Sequence, residues 1–419
     1  MKLLATAALA AAFSVSMPLV VSAQDLGSNF KRDKSVSVRQ RPRPDFEAIG
    51  IKAGGFTVFP RVTLSATHDD NIYATATDEQ SDTIWRVKPE VAVRSNWSRN
   101  ALGAFASATI NRYSDFDTEN TEEYTIGANG RLDLERGSNI AGSLQYQALT
   151  EPRTSPTSPV AATAPVEYTL VTGNLTAIKE FNRLRLTGRL DNKTYDYDDA
   201  RNAAGGVIDQ DTRDRDEFYY GGKAEYAVSP DTAVFFSLVG NKKDYDLAIA
   251  GRDSDGYVVS GGVNFEISQV ARGEIEGGYM DQSYDNPAYA NVSGFNAKGR
   301  VEWFPTELTT VTLNGSRTIE EAVAAGSQGY ISNNLSAGVD HELLRNVLLS
   351  AQASYGKDNY QTIDRDDKRT GFNASATYLM NRNVGLILAY TFLKQNSSGG
   401  ARGASFDDNK IAASVAFQF

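Results

Sequence analysis

At 419 residues the chain is long enough for two or three soluble domains or for one large barrel. A mean hydropathy of −0.38 excludes a bundle of membrane helices, each of which needs about 20 consecutive apolar residues. The net charge of −10 argues against a nucleic-acid partner, and the absence of cysteine excludes a disulfide framework and thiolate catalysis.

The first residues have three parts: a positive charge at Lys2, an apolar and small stretch from Leu3 to Ala12, and a small-residue site at Val21-Ser22-Ala23. This order predicts a secretory signal peptide over residues 1–23, cut before Gln24, with a buried helix as the competing reading. No cysteine follows the cut, so lipoprotein processing is excluded. Residues 24–54 are polar and basic, with Arg39, Arg41, Pro42, Arg43 and Pro44 close together. Such composition predicts an extended, disordered tail, too short to hold a plug domain.

From Phe56 onward one pattern repeats: apolar alternation, a tight polar turn, alternation again, then a longer loop. Alternation with period two means a strand with one apolar and one polar face. Over 370–380, Phe372, Ala374, Ala376, Tyr378 and Met380 oppose Gly371, Asn373, Ser375 and Thr377. Over 295–303, Phe295, Ala297, Gly299, Val301 and Trp303 oppose Asn296, Lys298, Arg300 and Glu302. Over 183–191, Leu184, Leu186 and Leu190 oppose Arg183, Arg185, Arg189 and Asp191.

Turn lengths separate a sandwich from a membrane barrel. Short turns are expected at 98–100, 136–138, 182, 229–231, 268–270, 305–307, 344–346 and 381–383, with longer loops between them, as at 69–82, 151–164 and 198–213. Short and long connections in strict alternation describe an up-and-down transmembrane barrel, with periplasmic turns and extracellular loops. Greek-key sandwiches do not keep that rhythm. The expected fold is all-β, an antiparallel transmembrane barrel over 55–419. Strands begin near Phe56, Thr83, Ala101, Glu122, Ile140, Val166, Arg183, Glu217, Ala233, Tyr257, Arg272, Val292, Leu308, Gly329, Val347, Lys368, Val384 and Lys410. They number eighteen, with sixteen as the alternative. Both termini then lie in the periplasm, and the outer membrane of a Gram-negative cell is the expected location.

Aromatic residues sharpen the picture. Trp97, Phe181, Trp303, Phe304 and Tyr378 lie beside short turns, where a headgroup girdle belongs. Tyr113, Tyr195, Tyr245, Tyr284 and Tyr360 lie at the other strand ends and are expected to form the second belt. Ile411, Ala413, Val415, Phe417 and Phe419 share one face of the last strand, which looks like an assembly signal for outer-membrane insertion.

The stretch Arg41-Pro42-Arg43-Pro44-Asp45-Phe46, then Gly54-Gly55-Phe56, Pro60 and Asp69-Asp70-Asn71-Ile72-Tyr73, resembles the start of the putative beta-barrel porin type 2 family. The run from Glu302 to Thr309, Glu302-Trp303-Phe304-Pro305-Thr306-Glu307-Leu308-Thr309, resembles it too. The resemblance covers nearly all of the chain after residue 23. It implies an outer-membrane barrel, often associated with extracellular polysaccharide export, and supplies no substrate and no catalytic residues.

The lumen-facing register carries Arg86, Lys88, Glu90, Arg94, Arg131, Asp133, Arg183, Arg185, Arg189, Asp191, Lys223, Glu225, Glu274, Glu276, Lys298, Arg300 and Glu302. A charge facing lipid at midplane costs about 2–4 kcal/mol, so these residues should face water or one another. They either orient a polar solute, as charged rings do in pores, or pair to satisfy the wall. The acidic run Asp196, Asp198, Asp199, Asp209, Asp211, Asp214 and Asp216 suits a hard cation, but it lacks the glycine and terminal glutamate of a calcium loop, and a solvated loop is favoured.

Only His68 and His341 are available for histidine chemistry, and no nucleophile–base–orienter set is legible. No enzyme, cofactor or metal is expected. The expected function is a porin-like channel for polar solutes; the alternative is an outer-membrane component of polysaccharide secretion, with the basic tail 31–43 docking a periplasmic partner. Expected partners are outer-membrane lipid and lipopolysaccharide, the assembly machinery and, on the alternative reading, periplasmic polysaccharide-export proteins, with no nucleic acid. The proline-dense loop 151–164, followed by Pro165, should limit flow, either folded inward or capping the mouth.

Overall fold

The computed structural model describes residues 36–159, 161–247, 251–322 and 326–419. The expected signal peptide and the first part of the tail lie outside the described residues. Among the described residues, alternating sequences build twenty-one strands in chain order. A short β1 (Ile51–Ala53) leads into β2 (Phe56–Asp69), β3 (Asp82–Ser95), β4 (Ala101–Tyr113), β5 (Thr121–Glu135), β6 (Ser138–Thr150), β7 (Glu167–Phe181) and β8 (Leu184–Tyr197). A small loop hairpin, β9 (Ala200–Arg201) and β10 (Val207–Ile208), interrupts the series. Then follow β11 (Arg215–Ser229), β12 (Thr232–Tyr245), β13 (Ser254–Ile267), β14 (Ala271–Tyr284), β15 (Val292–Thr306) and β16 (Thr309–Glu321). The last are β17 (Gly329–Leu344), β18 (Val347–Tyr360), β19 (Asp366–Leu379), β20 (Val384–Ser398) and β21 (Phe406–Gln418).

Every strand from β2 to β8 and from β11 to β21 pairs antiparallel with its neighbour in sequence. β21 returns to β2, in register from Arg61 opposite Gln418 to Asp69 opposite Lys410. The ring of eighteen is therefore closed, and closure removes the unpaired strand edges of an open sheet. The alternative of sixteen strands is set aside by this pairing. Among the described residues no helix is long and apolar enough to cross a membrane.

Short turns join the strands at one end and longer loops at the other. Tight turns demand left-handed backbone: Gly137 between β5 and β6 has φ +76°, and Asn182 between β7 and β8 has φ +52°. A Cβ on Gly137 would meet Glu180 at 2.9 Å. The loops, L1 (70–81), L2 (114–120), L3 (151–166), L4 (198–214), L5 (246–253), L6 (285–291), L7 (322–328), L8 (361–365) and L9 (399–405), all lie at the other end.

Leu186, Leu190, Phe236, Leu238, Phe295 and Leu388 project outward and are exposed, so an apolar belt surrounds a polar interior. Near the turns Trp97, Phe181, Trp303 and Tyr378 are exposed on the outside. Phe304 does not belong with them. It shares strand parity with the inward-facing Glu302, opposite in face to Trp303, and the Arg272 guanidinium stands 5.6 Å from its ring centre.

The second belt also needs correction. Tyr113, Tyr195, Tyr245, Tyr284 and Tyr360 face the lumen, because each shares strand parity with inward residues. Tyr195 lies opposite Arg215, and Tyr360 is two residues beyond Asp358. The outward aromatics at the loop end are other residues, among them Trp85, Tyr124, Tyr146, Tyr220 and Tyr257.

The tail is not loose throughout. Residues 37–46 make defined contacts at the turn end of the barrel: Val38 is buried, and Arg39, Arg41 and Arg43 reach Asp340 and Glu342 on β17. Composition suggests disorder there because it records only polarity. The carboxylates that hold these arginines lie some three hundred residues away in sequence.

Candidate functional site: the barrel lumen

On β3, Arg86, Lys88, Glu90 and Arg94 all face inward. Lys88 Nζ lies 3.1 Å from Glu90 Oε1, and Arg61 on β2 lies 3.8 Å from Glu90 Oε2. Arg86 donates to Asn111 Oδ1 at 2.7 Å, and Arg94 stands over the Phe59 ring. On β5, Arg131 and Asp133 pair at 2.8 Å near the turns. On β8, Arg189 pairs with Asp191 at 2.7 Å, and Arg185 lies 3.6 Å from Glu180. Arg183 is the exception, an exposed residue of the β7–β8 turn beyond the wall.

The wall of β11 to β15 holds the other group. Lys223 on β11 bridges to Glu274 on β14 at 3.0 Å, lies 3.7 Å from Glu225, and stands 3.8 Å from the centre of the Phe235 ring. Glu276 accepts from Ser260 Oγ at 3.3 Å and faces Lys298 across the β14–β15 pair. Arg272 and Arg300 both pair with Glu302. A buried carboxylate is tolerated only with such partners.

Two sets of charges were missed by sequence reading. One lies at the loop end, where Arg369 pairs with Asp358 at 2.8 Å, Arg365 with Asp367 at 2.7 Å, Arg215 with Glu217 at 2.8 Å, and Lys243 with Glu321. Parity would have placed Glu217, Lys243, Asp358 and Arg369 inside. The other is inside the loops: Arg213 of L4 donates to Glu151 of L3 at 2.8 and 3.0 Å, and Arg153 of L3 donates to Glu119 of L2 at 2.7 and 3.0 Å. No periodicity marks those residues.

These pairs tie the neighbouring loops L2, L3 and L4 together at the mouth. Ala74 of L1 packs on the inward-facing Leu393 and Phe406 of β20 and β21, so L1 leans over the lumen. Tyr73 of L1 sets its ring edge against Phe116 of L2, and Arg153 of L3 lies over Tyr73. L3 docks sideways on L4, with Ala162 and Val166 packed on Ala200, Tyr197 and Ile208. On the opposite side Gln328 of L7, fully buried, ties neighbouring loops together, donating to the Ala290 carbonyl of L6 and accepting from Thr362 of L8.

The acidic run is spread along L4 and its flanking strands. Asp199, Asp209 and Asp211 are exposed and close enough to share a cation, but Asp199 and Asp209 accept backbone N–H groups of L4 and serve as turn caps. Asp214 accepts from the Tyr197 N–H at 2.7 Å. Burial, then the charges of Asp196, Asp211 and Asp246, push the Asp214 carboxyl up to about 6. The two histidines are not brought together. His68 points outward, opposite in face to Asp69, and His341 lies on the outward face of β17 with Nδ1 3.0 Å from Thr309 Oγ1.

The family described as Putative beta-barrel porin 2 matches residues 43–419. No curated protein sequence matches the chain. Among solved structures, OpdO of Pseudomonas aeruginosa is similar over 87% of this chain and 97% of its own, at 12% identity and a TM-score of 0.46. A BenF-like porin from Pseudomonas fluorescens is similar over 86% and 99%, at 11% identity and 0.48. The siderophore receptor PiuA from Acinetobacter baumannii is similar over 88% and 82%, at 10% identity and 0.47.

Proposed function

The chain belongs to the putative beta-barrel porin 2 family and is a porin-like channel of the bacterial outer membrane, and from that premise we propose that it passes small dipolar solutes along a lumen with two oppositely charged walls. One observation carries the reading. In ring order β3 is second and β14 eleventh of eighteen strands, so the two stand diametrically opposite. The β2–β3 wall bears Arg61, Arg86, Lys88 and Arg94, with Glu90 among them and Asp69 and Asp82 at its loop end. The wall facing it, β13–β14, bears Glu266, Glu274 and Glu276 on the inward register, with Arg272 the basic residue among them at the turn end.

Fields between low-dielectric walls are weakly screened, so a solute with separated charges is turned as it passes. A neutral apolar solute gains nothing from such a field and would have to leave water to enter. The chemistry required is diffusion, and no catalytic step is assigned to any residue.

Planar-bilayer recording of refolded protein tests the reading. Stepwise conductance is expected, and in a salt gradient Arg86→Gln with Lys88→Gln should shift the reversal potential towards cation preference. Glu274→Gln with Glu276→Gln should shift it the other way. Absence of conductance steps from protein whose folding is confirmed by heat-modifiable gel mobility would remove the open channel.

A further inference from the structure

We propose that residues 37–46 form a charged strap that is seated inside the turn-end mouth of the barrel, narrows the pore there, and masks two carboxylates that would otherwise make that mouth cation-selective. The inference rests on the channel reading above.

The strap is held by inward-facing side chains of four strands. The Val38 N–H donates to Thr310 Oγ1 on β16 at 3.0 Å, and both residues are buried. Arg39 Nε donates to Asp340 Oδ1 on β17 at 2.7 Å, and Arg43 Nη2 to Glu342 Oε2 at 2.8 Å. Arg41 lies 3.3 Å from the same Glu342 oxygen and also donates to the Glu307 carbonyl. Arg272 of β14 donates to Gln40 Oε1 at 2.7 Å. Beyond these, Arg382 donates to the Pro44 carbonyl and Gln418 of β21 to the Phe46 carbonyl, which carries the segment along the rim to the seam.

The sequence suits this duty. Pro42 and Pro44 fix φ on either side of Arg43 and lower the entropy lost on seating an extended segment. Three guanidiniums meet two carboxylates, and the Arg43–Glu342 pair is screened from water on both sides, with side chains 7% and 9% exposed. A charge buried in this way needs its partner, so Asp340 and Glu342 hold the strap and the strap neutralises them.

Removing residues 37–46 would leave two unmasked carboxylates on the turn-end lining, whereas Asp340→Asn with Glu342→Gln would release the strap and leave no new charge. The first variant should raise single-channel conductance and shift the reversal potential towards cations. The second should raise conductance without a shift to cations. Unchanged conductance in both variants would overturn the constriction, and equal reversal potentials in the two would overturn the masking.

A readout independent of current tests the seat itself. The chain has no cysteine, so Val38→Cys gives a single thiol. It should resist a membrane-impermeant maleimide in the otherwise native barrel and react at least tenfold faster in the Asp340→Asn, Glu342→Gln background. Lys52→Cys, at an exposed position, is the control that labels in both. Equal labelling of Val38→Cys in the two backgrounds would sink the strap. No conductance in any variant would remove the channel reading and the constriction with it, while labelling still decides whether the strap is seated.

Discussion

Lys410 on the last strand donates to Asp69 Oδ2 on the second at 2.5 Å, so the seam that closes the barrel carries an ion pair between the two ends of the sheet. Lys410 also stands 3.1 Å from Asp408, and both carboxylates are only 1% exposed. One ammonium thus serves two buried acids. Lys410→Met should destabilise the barrel by about 3–5 kcal/mol, because it strands uncompensated charge rather than merely losing a contact. Removing the acids as well, with Asp69→Asn and Asp408→Asn, should recover most of that loss. Urea unfolding of the refolded barrel measures it; equal stability of wild type and Lys410→Met would mean that the seam does not depend on the pair.

Sequence alone reached far along the strands and stopped at the loops. Alternation placed Arg86, Lys88 and Glu90 on one face of β3, and the short turns fixed strand order, because both signals are local. Tyr195 and Tyr360 went to the wrong side for a physical reason. Tyrosine is at home both at a headgroup boundary and in a polar lumen, so residue type could not decide. Parity could have decided, since Tyr195 shares its face with Arg189 and Asp191. Glu151 and Arg213 carry no periodic mark at all. Their pairing depends on two neighbouring loops folding against each other, which strand periodicity does not record.

L4 should become firmer as the medium is acidified from neutrality. Burial, then neighbouring acids, raise the Asp214 carboxyl to about 6, while Asp211 is raised chiefly by Asp199. A carboxyl raised in the folded state binds its proton more tightly there than in the unfolded chain. Folded L4 therefore gains as pH falls through 6, and the gain is complete below the ordinary carboxylate range near about 4. Hydrogen exchange of residues 198–214 should be slower at pH 5 than at pH 7.5 after correction for intrinsic rates. Asp214→Asn should remove most of the difference, and a wild-type loop with no such difference would contradict the argument.

L3 should restrict flow through the loop-end mouth. Pro152, Pro156, Pro159 and Pro165 stiffen it, Glu151 clamps Arg213 on one side, and Arg153 clamps Glu119 and covers Tyr73 on the other. The loop thereby braces L1, which leans over the lumen, to L2 and L4. Replacing residues 152–163 by a short Gly-Ser linker removes both the bulk and the Arg153 clamp, and single-channel conductance should rise. Arg153→Gln isolates the clamp, since L3 keeps its length while L1 loses its brace. That variant should leave the mean conductance near wild type and increase open-channel noise, because a loosened loop fluctuates across the mouth instead of withdrawing from it. A linker variant with unchanged conductance would make L3 a surface feature, and one that conducts more while Arg153→Gln stays quiet would assign the restriction to bulk alone.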